Sequence, residues 1–136
     1  MIPAGAVVAA ARGWIGVPYL HQGRSRSGID CIGLVLQVAR EAGIGPADLD
    51  FRRYGRMPQR EMIEAELPRW CAPGEAQAGA LVVVRWTTAA AHLAICTGPS
   101  LIHACASRKQ VVEHGYRGVW QRLTHSVWLL PGVRYE

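Results

Sequence analysis

Asp30-Cys31-Ile32-Gly33-Leu34-Val35-Leu36-Gln37-Val38-Ala39-Arg40-Glu41-Ala42-Gly43 is the stretch on which the fold turns. Its apolar residues return at i, i+3 and i+4, the spacing of a helix that buries one face. Asp30 stands where an N-cap belongs, and Gly43 can close the last turn. Cys31 then falls in the first helical turn, beside unpaired backbone N–H groups and at the positive end of the macrodipole. Such surroundings favour thiolate over thiol, so Cys31 is expected to be more acidic than an ordinary cysteine at about 8.5. A nucleophilic cysteine also needs a base.

On the N-terminal side, residues 3 to 13 read as an earlier helix. Met1 to Ala11 is apolar and rich in small residues. It lacks the charged start of a signal peptide and runs straight into Arg12-Gly13-Trp14, so it reads as part of the domain. Pro18 and repeated glycines make 16 to 29 a loop. On the C-terminal side, 44 to 58 is loop-like and 59 to 67 reads as a short helix ended by Pro68. From Ala80 the pattern changes to strands. Ala80–Trp86 is a β-branched run suited to a central strand, followed by 91–96, 101–105, 111–114 and 126–130. Helices first and an antiparallel meander after them give an α+β domain spanning 1–136.

The base is sought on the hairpin around Thr97-Gly98-Pro99-Ser100. With an even loop, paired positions sum to 197, so Ala94 faces His103 and His92 faces Cys105. Side chains two apart share a face, which makes His92 and His103 a diagonal pair roughly 7–8 Å apart at the backbone. One imidazole can take the thiol proton while the other orients it. His92, His103, His114 and His125 recur every eleven residues, but the surrounding sequence does not repeat, so the period is read as carrying no information.

Composition bounds the rest. The chain has 136 residues, half of them hydrophobic and 18% charged, which suits one folded domain with a real core. No apolar run reaches the roughly 18 residues of a membrane span. The net charge of +5 comes almost entirely from scattered arginines with no nucleic-acid-binding tract. An acidic surface such as a cell wall accounts for it as well as any polyanion. The four cysteines show no C-x-x-C spacing, so four free thiols are expected. Cys96 and Cys105 are expected in the core, and Cys71 exposed and oxidisable. Zinc held by Cys96, His103 and Cys105 fits strand spacing poorly.

Four ordered motifs carry a resemblance: Gly16-Val17-Pro18-Tyr19, Asp30-Cys31-Ile32-Gly33-Leu34, His92-Leu93-Ala94-Ile95 and Ile102-His103-Ala104. Together they resemble the NlpC-type cysteine peptidases of bacterial cell walls, and most of all the compact peptidases encoded among tail genes of phages and gene transfer agents. The resemblance implies a papain-like NlpC fold, with the nucleophile at a helix start packed on an antiparallel sheet. It implies Cys31 as nucleophile, His92 as general base and His103 as the residue orienting it. Tyr19 matches the loop tyrosine near the oxyanion. Asp30 matches the acidic residue before the cysteine, where capping is reason enough for it.

The implied activity is hydrolysis of a γ-D-glutamyl–diamino acid bond in peptidoglycan stem peptides, through a thioester and without a cofactor or metal. The implied partners are the stem peptide and tail or baseplate proteins, with no nucleic acid and no membrane span. The chain is expected to be made in the cytoplasm and to act at the cell wall within a phage-like particle. A structural tail-tip subunit and an amidase or acyltransferase are the alternatives. Ile32 replaces the family's serine and is expected to grease the pocket beside the nucleophile. Arg24, Arg26 and Arg85, near the motifs, are candidate contacts for substrate carboxylates.

Overall fold

The computed structural model describes residues 1–45 and 49–135. Part of the loop expected over 44–58, residues 46 to 48, lies outside the described residues. Strand β1 (Ile2–Pro3) leads into helix α1 (Ala4–Arg12), and a small hairpin of β2 (Arg24–Ser25) and β3 (Gly28–Ile29) precedes helix α2 (Cys31–Glu41). Helix α3 (Arg60–Glu66) runs into a 3-10 turn at Leu67–Arg69 and then β4 (Ala72–Pro73). Strands β5 (Leu81–Arg85), β6 (Ala91–Cys96), β7 (Ser100–Cys105) and β8 (Gln110–Gly115) follow. A short helix α4 (Val119–Arg122), β9 (Thr124–Leu129) and β10 (Val133–Arg134) complete the order. Pro68 sits inside the 3-10 turn, so the chain keeps winding where a stop was expected.

The sheet has six strands in the order β4-β9-β5-β6-β7-β8. Strands β5 to β8 form the expected meander, but β9 crosses back to pair with the far side of β5. That crossing makes β5 central and explains its run of valines. Leu81 and Val83 enter the core under the helices, while Val82 and Val84 join a second cluster on the opposite face with Ala94, Cys96 and Leu101. Both faces are covered, so strict alternation of polar and apolar residues is not required. Leu101, Leu123, Val127 and Trp120 form the second layer, which no amphipathic helix announced.

Helix α2 packs on β6 and β7 and against α1. Its buried side is Cys31, Ile32, Gly33, Leu34, Val38 and Ala39. Gly33 is required by proximity: a Cβ there would lie 2.3 Å from the carbonyl oxygen of Gly23. A bare backbone lets the 20–29 loop press against the helix start, and that contact holds the cysteine's turn in place.

Candidate active site

Asp30 fixes where α2 begins. Its Oδ1 accepts from the Gly33 amide at 2.8 Å and from Arg24 Nη1 at 3.1 Å. Its Oδ2 accepts from the Gln22 amide at 2.7 Å and from the Tyr54 hydroxyl at 2.7 Å. Arg24 in turn donates to Asp50, to the Phe51 carbonyl and to Tyr54. Asp30 is buried, does not line the cleft and has both oxygens engaged within the chain. The role the structure shows for this carboxylate, grouped above with the substrate-binding residues, is to cap and anchor the cysteine's turn.

The capped turn presents Cys31 to a cleft of about 400 Å³ that is also lined by Tyr19, Arg56, Trp86, His92, His103 and Trp120. The backbone at Leu93, next in chain to His92, acts to lower the Cys31 thiol against the rise that burial causes. The hairpin register is as expected, since Ile95 pairs with Ile102 and Cys96 with Leu101. His92 and His103 share a face, with His92 Nε2 2.8 Å from His103 Nδ1. His103 Nε2 lies 2.7 Å from Nε2 of His114 on β8. Three of the four evenly spaced histidines thus meet on neighbouring strands, while His125 lies apart beside Glu64.

Tyr19 is set by backbone pairing with Ile29, just before the cap, and by its amide donating to the Lys109 carbonyl at 2.9 Å. Burial above all, then charge on Cys31 and Asp30, raises its hydroxyl above the ordinary value, with Arg56 acting against them. Trp86 stacks on His92 at a centroid distance of 5.4 Å, and Trp120 packs against His103 and His114. These indoles shield the imidazoles from water.

Burial decides the protonation states. It pushes the Cys31 thiol up to about 12, against smaller opposing help from the backbone at Leu93. It pushes His92 down to about 3, aided by charge on His103 and His114, and His103 down to about 4. Burial runs against the expected acidic thiol: Cys31 is only 4% exposed, and desolvation opposes the helix terminus. Both shifts favour an uncharged thiol and an uncharged imidazole at rest, which suits proton transfer during attack. A lowered imidazole value keeps the base form present as pH falls. The acid limb of kcat/KM is therefore expected well below the ordinary 6.5 of histidine. A pH profile taken where circular dichroism shows folded protein checks this, and a limb at 6.5 would contradict it.

Other expectations move as well. Ile32 lines a separate apolar cavity among α2, α3 and the sheet and is not among the residues lining the cleft, so the expected greasing of the pocket beside the nucleophile is not seen. Arg24 is used on Asp30 and Asp50, Arg26 lies over the Trp14 ring and pairs with Glu41, and Arg85 is outside the cleft. Arg56, which nothing in its local sequence marks, is the cation among the described residues that lines it. All four cysteines are free. Cys96 is in the core as expected, Cys105 lines the cleft instead, and Cys71 is half-buried with its thiol raised to about 11 by burial.

A family model described as NlpC/P60 matches residues 16–129. Among solved structures, the NlpC/p60 domain of the peptidoglycan hydrolase SagA aligns at 24% identity and TM-score 0.65, covering 95% of this chain and 100% of that one. An NlpC/P60 family protein from Bacillus cereus aligns at 20% identity and TM-score 0.63, with 91% of this chain matched to 39% of that one. NlpC2 from Trichomonas vaginalis aligns at 12% identity and TM-score 0.67, covering 94% of this chain and 47% of the other. No curated protein matches the chain.

Proposed function

This chain belongs to the NlpC/P60 family of cysteine peptidases and peptidoglycan hydrolases, and from that premise we propose that it cleaves the γ-D-glutamyl–diamino acid bond of stem peptides through a thioester on Cys31. The observation that carries the proposal is the single cleft holding a capped-helix cysteine and a histidine whose Nε2 is held by a second histidine. Since His92 spends Nε2 on His103, Nδ1 is the nitrogen left for the thiol proton.

In this reading Cys31 Sγ attacks the amide carbon while His92 Nδ1 takes its proton. The oxyanion is met by the Tyr19 hydroxyl and by backbone N–H at the start of α2. His92 then returns the proton to the departing amine, leaving a thioester. Water, deprotonated by His92, attacks the thioester carbon and releases the acid with the thiol restored. His103 orients the base, and Asp30 positions the nucleophile's turn.

The setting we propose is a phage-like tail or gene transfer agent, with the chain made in the cytoplasm and meeting the wall as part of a particle. Its support is the likeness of the four motifs to the tail-encoded peptidases, and a net charge of +5 suits an anionic wall. Defined muropeptides incubated with the protein and resolved by mass spectrometry test the bond. The expected products are a glycan-linked fragment ending in D-glutamate and a released peptide beginning with the diamino acid. Cleavage at another amide, or none, would overturn the assignment. Co-purification with tail particles, or its absence, decides the setting.

A further inference from the structure

We propose that His114 is a positioning residue that fixes which nitrogen of His92 carries its proton. The proposal rests on the reading of Cys31 and His92 as nucleophile and base. It is carried by a hydrogen-bonded row of three imidazoles with a defined end.

His114 Nδ1 lies 3.0 Å from the carbonyl oxygen of Gly115. A carbonyl only accepts, so Nδ1 must hold a hydrogen. An uncharged imidazole has one donor and one acceptor, which leaves His114 Nε2 as an acceptor. Across 2.7 Å, His103 Nε2 must then donate to it. His103 Nδ1 accordingly accepts, and across 2.8 Å His92 Nε2 donates. The lone pair of His92 is thereby placed on Nδ1, the nitrogen available to the thiol. With His114 in its uncharged form, every assignment follows from the Gly115 carbonyl.

Without that end the His92–His103 pair is symmetric in sense. Reversed, it would put a hydrogen on His92 Nδ1, and the ring could not accept a proton from Cys31. Burial keeps His92 and His103 uncharged, which the one-donor, one-acceptor logic needs. Geometry holds the row as well. Successive rings stand at 85° and 83°, and Trp120 packs against His103 and His114 with centroids 5.1 and 4.4 Å away. His114 itself does not line the cleft, so it acts only through His103.

Two substitutions and one spectrum test this. His114→Phe keeps a ring against Trp120 but removes both nitrogens. His114→Gln restores an oxygen that can accept from His103. The expected result is a loss of roughly tenfold to a hundredfold in kcat for His114→Phe with KM unchanged, and recovery of most of it in His114→Gln. Nitrogen-15 spectra in a Cys31→Ala background should show His92 protonated on Nε2 alone, and mixed tautomers once His114→Phe is added. An unmixed tautomer and full kcat in His114→Phe would overturn the proposal, as would equal losses in both variants. If Cys31→Ala itself still hydrolyses stem peptides, the cysteine reading fails, and the spectra still decide the tautomer.

Discussion

Replacing Cys31 with alanine is expected to stop stem-peptide hydrolysis while the fold survives. The Cys31 sulfur is the one protein atom in the proposed reaction that bonds to substrate carbon. Loss of a nucleophile of this kind lowers kcat on the order of 10⁴-fold or more. The structural cost is small. Alanine favours the helix that Asp30 caps, the site is in a buried first turn, and only one sulfur atom's packing is lost, about 1 kcal/mol. Product formation on muropeptides, read beside a thermal unfolding curve, separates the two effects. Hydrolysis at the parent rate would mean that the thioester route is wrong.

Replacing Asp30 with alanine is expected to give the largest loss of stability of any single change near the site. Four hydrogen bonds end on its carboxylate, and the Arg24 side chain that pairs with it is only 10% exposed. Alanine removes the N-cap, worth about 1 kcal/mol, and leaves a buried guanidinium short of a counter-charge. Breaking one side of such a pair costs about 3–5 kcal/mol. Asp50 still faces Arg24, which keeps the loss toward the lower end. Asp30→Asn, which retains an acceptor for the Gly33 amide, should lose less. Urea unfolding of the three proteins checks the order, and a loss below about 1 kcal/mol for alanine would show that the network contributes little. Activity should fall with Asp30→Ala even where the chain remains folded, because the cysteine's turn loses its anchor.

What could be read from the sequence was local in origin. Asp30 announces its helix through a hydrogen bond to an amide three residues on, so the start of α2 is legible within four letters. The four-residue turn from Thr97 fixes the β6–β7 register, and so the shared face of His92 and His103, without reference to the rest of the chain. The failures are non-local. His114 reaches His103 only after a turn in which Lys109, a lysine, takes φ 61°, a choice no turn rule assigns to it. Trp120 belongs to a one-turn helix too short to have a period, and it finds its place by packing on the back of the sheet. Arg24 looks like a free cation beside a motif until the 50–54 segment folds over it. Cys31 is the plainest case. The dipole that favours its thiolate is a property of the helix start, whereas the burial that opposes it comes with tertiary packing, in which α2 lies on α1 and on β6 and β7, some 60 residues downstream.

That last separation divides the catalytic apparatus along the chain. The imidazole row lies on consecutive hairpins, each closing a short loop, and the 16–19 segment hydrogen-bonds to the last of them. The sulfur arrives on a helix built and capped by residues 22 to 54, and the two pieces touch where α2 lies on β6 and β7. Catalysis therefore depends on a seam between a helix and a sheet that lie far apart in the chain. A slight parting of that seam would disarm the peptidase long before either element lost its own hydrogen bonds, so turnover reports the docking of helix on sheet more sensitively than any measure of secondary structure.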